Sequence, residues 1–360
     1  KIESYSINNG NYRQNYTEGY FMFIIIRTKR IAIIVSLFIA VIIAIIFAAS
    51  NKDYNLLLFD DSIPVNSELS EEFTPYLEDI LTVRNKAMLE NDIEAIRPLY
   101  NVKTKLGIYA FEHEQKKIKH LHSWAEKQGV TFLDINTLYK VRWVKEQGSK
   151  VTINFSAITE YTYEYVNMPD VLNKFRIATY HVLDLVDDTE KWLISKEWYT
   201  DPFADSLNAD TLKAEDNKAF ILSQETRDFS NINQGRIKAV EYADLYCGAS
   251  DNEEYLFRYN KEYKNYNSIG GDCTNFASQV LHAGGFKKTG GWTYEKDGSH
   301  AWVNAQGFKD YLIYSGRGSL IAHGTYDKVL KLSYKLLPGD IIAYEKKGKV
   351  AHISVVTGAD

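Results

Sequence analysis

The chain of 360 residues carries 42 lysines and arginines against 47 aspartates and glutamates. The net charge of -5 leaves no basic footprint, so nucleic acid is not an expected partner. An apolar share of 45% is enough for real hydrophobic cores, and the length suits two domains plus a membrane-directed segment.

Residues 1–30 read as a cytoplasmic N-terminal segment ending in Arg27, Lys29 and Arg30. From Ile31 to Ala49 only Ser36 is polar, and Asp53, Asp60 and Asp61 follow. About 20 apolar residues span a bilayer as a helix, and a basic flank stays on the cytoplasmic side. Residues 31–49 are therefore expected to be a transmembrane anchor or a signal helix, with Ala48-Ala49-Ser50 offering small residues for cleavage. The first alternative gives a single-pass protein of the cell membrane with its C-terminal part extracellular, and the second a secreted one. Met22 is an alternative true start, which makes residues 1–21 upstream read-through.

Residues 50–66 read as a polar linker. In 67–128, Phe73, Tyr76, Leu77, Ile80, Leu81 and Val83 begin a helical pattern, and Gly129 sits where a glycine ends the last helix. His113, His120 and His122, with Glu112 and Glu114, raise the question of a metal. His120 and His122 are two apart and leave a helix on different sides, so a solvated face without metal is expected. From Phe132 the chain turns β-branched and aromatic. One hairpin turns at Glu146-Gln147-Gly148-Ser149; a second runs from Phe175 to Val186, turns at 187–190 and returns from Lys191 to Tyr199, with Trp192 and Trp198 expected in the core. Helices followed by long antiparallel strands predict an α+β middle domain, 67–202, with a curved antiparallel sheet. Its order, closing on "DTEKWLISKEWYTDPF", resembles domains of the nuclear-transport-factor-2 type. Residues 203–235 read as a second linker with room for a short helix. From Arg236 an amphipathic helix, with Ile237, Val240, Ala243 and Tyr246 on one face, opens the last domain, 236–360.

The chemistry centres on Gly270-Gly271-Asp272-Cys273-Thr274-Asn275-Phe276-Ala277-Ser278-Gln279. Two glycines free the backbone, Asp272 suits an N-cap, and Phe276, Ala277, Val280 and Leu281 form one apolar helical face. Cys273 then occupies the first helical turn, where unpaired N–H groups and the macrodipole favour a thiolate. Asp272 is expected to cap the helix with its side chain, and its charge to oppose that effect. The base in the best setting is His352, in the strand pattern Val350–Thr357, reached through Leu336-Leu337-Pro338-Gly339-Asp340, a strand to Tyr344 and a hairpin at 346–349. His300 and His323 are rival bases, the first also a candidate substrate contact. The two cysteines, Cys247 and Cys273, have a disulfide as the alternative to a free nucleophile.

"GGDCTNFASQVLHAGG", "AWVNAQGFKDYL" and "LLPGDIIAYEKKGKVAHISVVTG", in that order, resemble the "putative amidase domain" family of exported Gram-positive proteins, related to papain-like cell-wall amidases and peptidases of the CHAP type. The resemblance covers about residues 236–360. It implies a papain-like α+β fold, Cys273 as nucleophile and His352 as general base and acid. It also implies no metal or cofactor, and supporting or substrate-lining places for Tyr266, Asp272, Asn275, Trp302 and Asn304. Peptidoglycan is the implied substrate, at a sugar–peptide or a peptide–peptide amide. In papain-like enzymes the group that orients the histidine lies on the next strand, which is expected beyond Asp360. The alternative is an inactive, membrane-anchored binding or scaffold protein that works through its middle domain.

Overall fold

The computed structural model describes residues 67–189, 191–204 and 214–358. The 31–49 stretch lies outside them. Among the described residues no helix is long and apolar enough to cross a membrane.

Helix α1 (Ser67–Glu90) is followed by a short α2 (Ile93–Ile96) and by α3 (Lys105–Gln128). Thr104 starts α3 by accepting the Gly107 N–H at 3.2 Å. Gly129 ends it in the left-handed region at φ 71°, returning its N–H to the carbonyls of Ala125 and Glu126. Phe111, Ile118, Leu121 and Ala125 recur at helical spacing and are buried. They meet an antiparallel sheet in the order β1 (Val130–Gln147), β2 (Lys150–Tyr165), β3 (Met168–Asp187), β4 (Trp192–Trp198). Register shifts at Phe132/Asp134 and Val141/Trp143 bend β1 and curve the sheet around the helices. Leu77, Ile96, Ile118, Val151, Phe155, Leu183 and Ile194 fill the interior.

Three expectations for this region need correction. The first strand of the second hairpin, β3, begins at Met168, not at Phe175, because Val166-Asn167 forms a tight turn that pairs Tyr165 with Met168. Pro169 is tolerated there because β4 reaches β3 only between Val182 and Asp187, which leaves the proline end an open edge. Trp192 packs edge-on to Phe73 at 5.1 Å, but Trp198 is 43% exposed. Nor is the histidine-bearing face of α3 solvated. Glu114 and Lys117 are buried, His120 Nδ1 meets the Phe203 carbonyl at 2.7 Å, and His122 Nε2 meets the Met88 carbonyl at 2.6 Å. The two rings go to different partners, as their spacing requires. The concavity of the sheet is filled by these charged groups with Arg84, His181, Glu197 and Asp201.

After α4 (Ala214–Leu222), helix α5 (Gln234–Tyr246) lies against α6 (Cys273–Ala283). A Cβ on Gly235 would come within 2.6 Å of the Gly284 carbonyl oxygen, so the two backbones touch where only glycine fits. The buried face of α5 is Ala239 and Ala243 against Val280; Ile237, expected inside, is 38% exposed because the close crossing leaves room only for small side chains. Helices α7 (His300–Val303), α8 (Ala305–Tyr314) and α9 (Tyr326–Ser333) precede a hairpin of β5 (Ile341–Lys346) and β6 (Lys349–Val355). Its two-residue turn, Lys347-Gly348, has φ of 53° and 76°, the type I′ geometry that matches strand twist. Trp292, Trp302, Phe308, Ala277, Leu281 and Ile353 form the second core, which binds β6 to α6.

Candidate active site

Gly270 and Gly271 adopt φ of 146° and 109°, which side chains rarely allow. They fold the backbone so that the N–H groups of Ile269 and Gly271 both reach the Tyr266 carbonyl. The helix starts at once: the Asp272 carbonyl accepts the Phe276 N–H at 2.9 Å, and Cys273 is the first residue of α6.

Asp272 stands at the N-cap position, but its side chain does not cap the helix, contrary to expectation. With ψ near 0° its carboxylate turns back to the preceding loop, where Oδ1 accepts the Tyr266 N–H at 2.9 Å and Asn275 Nδ2 at 3.0 Å. Burial raises its pKa, and these two hydrogen bonds oppose the shift. The buried Asn275 amide also donates to the Lys264 carbonyl at 3.0 Å and accepts Trp302 Nε1 at 2.9 Å. Trp302 is fully buried, 4.6 Å from Trp292 and stacked 6.1 Å from Tyr263. Ser278 Oγ donates to the Trp302 carbonyl and accepts Trp292 Nε1. The cysteine turn is thus pinned through Asp272, Asn275 and Trp302 to the second core.

Strand β6 completes the arrangement. Ile353 packs into the core beneath α6, and a register shift brings His352 opposite Tyr344. The His352 imidazole and the backbone N–H of Ile353 interact with the Cys273 sulfur and favour its ionised form. The Thr274 hydroxyl lies 3.7 Å away. Burial alone would push the thiol up. The interactions with His352, Ile353 and Thr274 outweigh it and bring the Cys273 pKa down to about 7. The imidazole is correspondingly raised, by the Cys273 contact first, with burial opposing. Both shifts favour a thiolate–imidazolium pair at the positive end of a helix.

The other expected residues divide. Tyr266 supports the turn through its backbone, and its hydroxyl meets Asp297 and the Gly298 N–H. Asn304 caps α8 by accepting the Gly307 N–H, and Trp302 is buried in the second core, so both have supporting places. His300 packs its ring on Gly307, and exposed His323 pairs with Glu345 at 3.2 Å; neither is the partner of Cys273. Cys247 and Cys273 are both free thiols. Cys247 lies at the end of α5, its sulfur 3.4 Å from the Ala249 N–H. A small depression beside the helix start is lined by Asp272, Phe276, Tyr246 and Tyr259, among others, while Cys273 is not in its wall.

Two contributors had no sequence signal of their own: the Ile353 N–H, a backbone group, and Tyr344, whose ring lies 5.5 Å from that of His352.

Residues 233–360 match the family described as "putative amidase domain". Two curated relatives, both from Bacillus subtilis (strain 168), align over about a third of this chain. One is the uncharacterized protein YhbB, 32% identical over 134 residues, which are 35% of this chain and 37% of YhbB. The other is the uncharacterized protein YjcM, 33% identical over 124 residues, 34% of this chain and 27% of YjcM. The chain thus spans about a third of the length of these relatives. Among solved structures, the intermembrane space region of the chloroplast protein ARC6 is similar over 38% of this chain and 97% of its own. The identity is 9% and the TM-score 0.27, too low for anything to be read across.

Proposed function

We propose that residues 233–360 form a cysteine-dependent amidase with Cys273 as nucleophile and His352 as general base and acid. The family match supports amide-bond hydrolysis. The observation that carries the thiol mechanism is the pairing of Cys273 with His352 at a helix start, with the thiol lowered to about 7. The thiolate attacks the amide carbonyl carbon, and the C=O electrons move onto oxygen. The backbone N–H of Cys273, at the first position of α6, is the oxyanion donor. As the tetrahedral adduct collapses, the C–N bond breaks and the His352 imidazolium protonates the leaving amine. This leaves a thioester and neutral imidazole. Water, deprotonated by His352, then releases the carboxylic acid and restores the thiolate–imidazolium pair.

The helix-borne cysteine facing a strand-borne histidine supports a papain-like reading of this region, and the helix-filled curved sheet one of the nuclear-transport-factor-2 type for 67–202. Peptidoglycan is the proposed substrate. The apolar stretch 31–49, as anchor or cleaved signal, would deliver the enzyme there. The test compares wild type with Cys273→Ala on purified cell wall. New amino groups released by wild type alone are expected. Equal release by both would remove the enzyme and leave the scaffold alternative.

A further inference from the structure

A general base works only if its ring is held at the angle that meets the proton, and imidazole turns freely about its ring-bearing bond unless something stops it. In this site the Cys273 sulfur interacts with the His352 ring from one side. Cys273 from α6 and Tyr344 from β5 are the titratable side chains found against the imidazole among the described residues. Tyr344 is its direct cross-strand partner; the two ring centroids are 5.5 Å apart, inclined at 41°. This pairing comes from an irregularity. Lys346 pairs with Lys349 across the turn and Glu345 with Val350, so unbroken register would set Tyr344 against Ala351. The shift between Tyr344 and Glu345 inserts Ala351 as an extra residue and re-aims the following side chain, a use bulges have near functional sites. Tyr344 is also 49% exposed and makes no contribution to the buried core. A half-exposed aromatic side chain with no core to fill, opposite a histidine that a bulge has brought into line, is placed for that histidine.

We propose that Tyr344 is a positioning residue for His352, its ring packing on the imidazole to hold it toward the Cys273 sulfur. This rests on the cysteine-amidase reading above. Cross-strand aromatic pairs stiffen a sheet face, and an aromatic ring also favours a cation beside it, so the same contact stabilises the imidazolium of the ion pair. The ring does this work and the hydroxyl does not.

The test uses the full chain with Cys247→Ser, so that Cys273 is the one thiol. Tyr344→Phe, Tyr344→Leu and Tyr344→Ala are compared by the iodoacetamide alkylation rate of Cys273 against pH, a readout that needs no substrate, and by amino-group release from cell wall. The Phe variant is expected to match the parent in both. The Leu and Ala variants are expected to move the alkylation midpoint upward from about 7 toward the ordinary thiol range. They are also expected to lose on the order of tenfold in release, as a displaced catalytic group does. Leu fills most of the space, so a hairpin loosened in the Ala variant does not decide the result. An Ala variant with the parent's midpoint and release overturns the proposal, as does a Phe variant impaired as much as Ala. A parent with no lowered midpoint overturns the ion pair itself, and this assignment with it. A lowered parent midpoint that no variant moves removes Tyr344 alone.

Discussion

The Cys273 sulfur and the His352 imidazole meet where the first turn of α6 faces strand β6, and each shifts the other's titration in the direction that separates their charges. The consequence has a definite sign. A thiol at about 7 is half ionised at neutral pH, whereas an ordinary one near 8.5 is only a few per cent thiolate. His352→Ala removes the largest of the influences that lower the thiol and leaves burial, which raises it. Alkylation of Cys273 at pH 7 is therefore expected to slow by roughly tenfold or more, with its midpoint moving up by more than a unit. Stopped alkylation followed by intact-mass measurement checks this. A variant whose midpoint stays put would mean that the Ile353 N–H and the helix start hold the thiolate unaided.

The second prediction concerns what holds the cysteine in place. Asn275 is buried and uses both ends of its amide: Nδ2 for Asp272 and the Lys264 carbonyl, Oδ1 for Trp302 Nε1. Asn275→Ala strips the Trp302 indole of its acceptor and the Asp272 carboxylate of one donor. An orphaned buried polar group costs about 1–3 kcal/mol. The expected result is a loss of stability in that range by denaturant unfolding, with a fall in Cys273 alkylation at neutral pH. Trp302→Phe removes the same N–H, shrinks a fully buried indole to a phenyl ring and leaves Asn275 Oδ1 without its donor, so it should show a loss at least as large. An Asn275→Ala protein as stable and as reactive as wild type would show that the turn holds without this string.

How much of this was legible beforehand follows from which interactions leave a local pattern. The Cys273 helix, Gly129 and the Lys346–Lys349 turn each carry their physics within a few neighbouring residues, and the structure has them where the sequence puts them. Asp272 did not follow its local rule, because a competing partner, the Tyr266 N–H, comes from a loop folded back by Gly270 and Gly271. Tyr344 was invisible for a sharper reason: counting back from the turn sets it against Ala351, and a bulge has no reliable sequence mark. The charged interior of the sheet was unreadable because Arg84 with Glu114 and Glu197, and Lys117 with Asp201, find one another across distant segments.

Gly271→Ala is the third prediction. Nothing lies within 4 Å of a Cβ built there, so a methyl group would meet no clash. The backbone φ of 109° is nevertheless one that alanine adopts only under strain, of order 1–3 kcal/mol. The added energy falls on the turn that sets the start of α6. A destabilisation in that range by denaturant melts, accompanied by lower Cys273 reactivity, is expected. A neutral substitution would show that the turn relaxes to negative φ without disturbing the cysteine.

The last prediction lies in the middle region, where Glu197 accepts from both terminal nitrogens of the Arg84 guanidinium and from His181 Nδ1, all with nearly buried side chains. Thr179 Oγ1 lies 2.7 Å from His181 Nε2, and the ring is stacked between Phe155 at 4.5 Å and Tyr199 at 4.2 Å. Burial lowers the His181 pKa, and Glu197 only partly restores it. The unfolded chain therefore takes up a proton below about 6.5 that the folded one resists, so stability falls as pH drops from that point. Glu197 adds to the loss further down. Burial would raise its pKa, but Arg84 and His181 outweigh this and hold it far below the usual range. Its stabilisation is complete above about 4.3 and disappears as pH falls toward the folded value. Melting temperature is thus expected to decline from about pH 6.5 downward and more steeply below about 4.3. His181→Asn should flatten the first part and leave the second. Glu197→Gln leaves the Arg84 charge buried with only Glu114, 3.8 Å away, to balance it. The cost of such a broken buried pair is about 3–5 kcal/mol at neutral pH. In that variant the decline that begins near 6.5 should persist, because His181 has lost the partner that raised it, while the steep part below about 4.3 should shrink. Thermal melts of the three proteins between about pH 2 and 8 measure all of these. A wild-type melting temperature that is flat from 8 to 5 would place His181 in contact with water and contradict its buried setting.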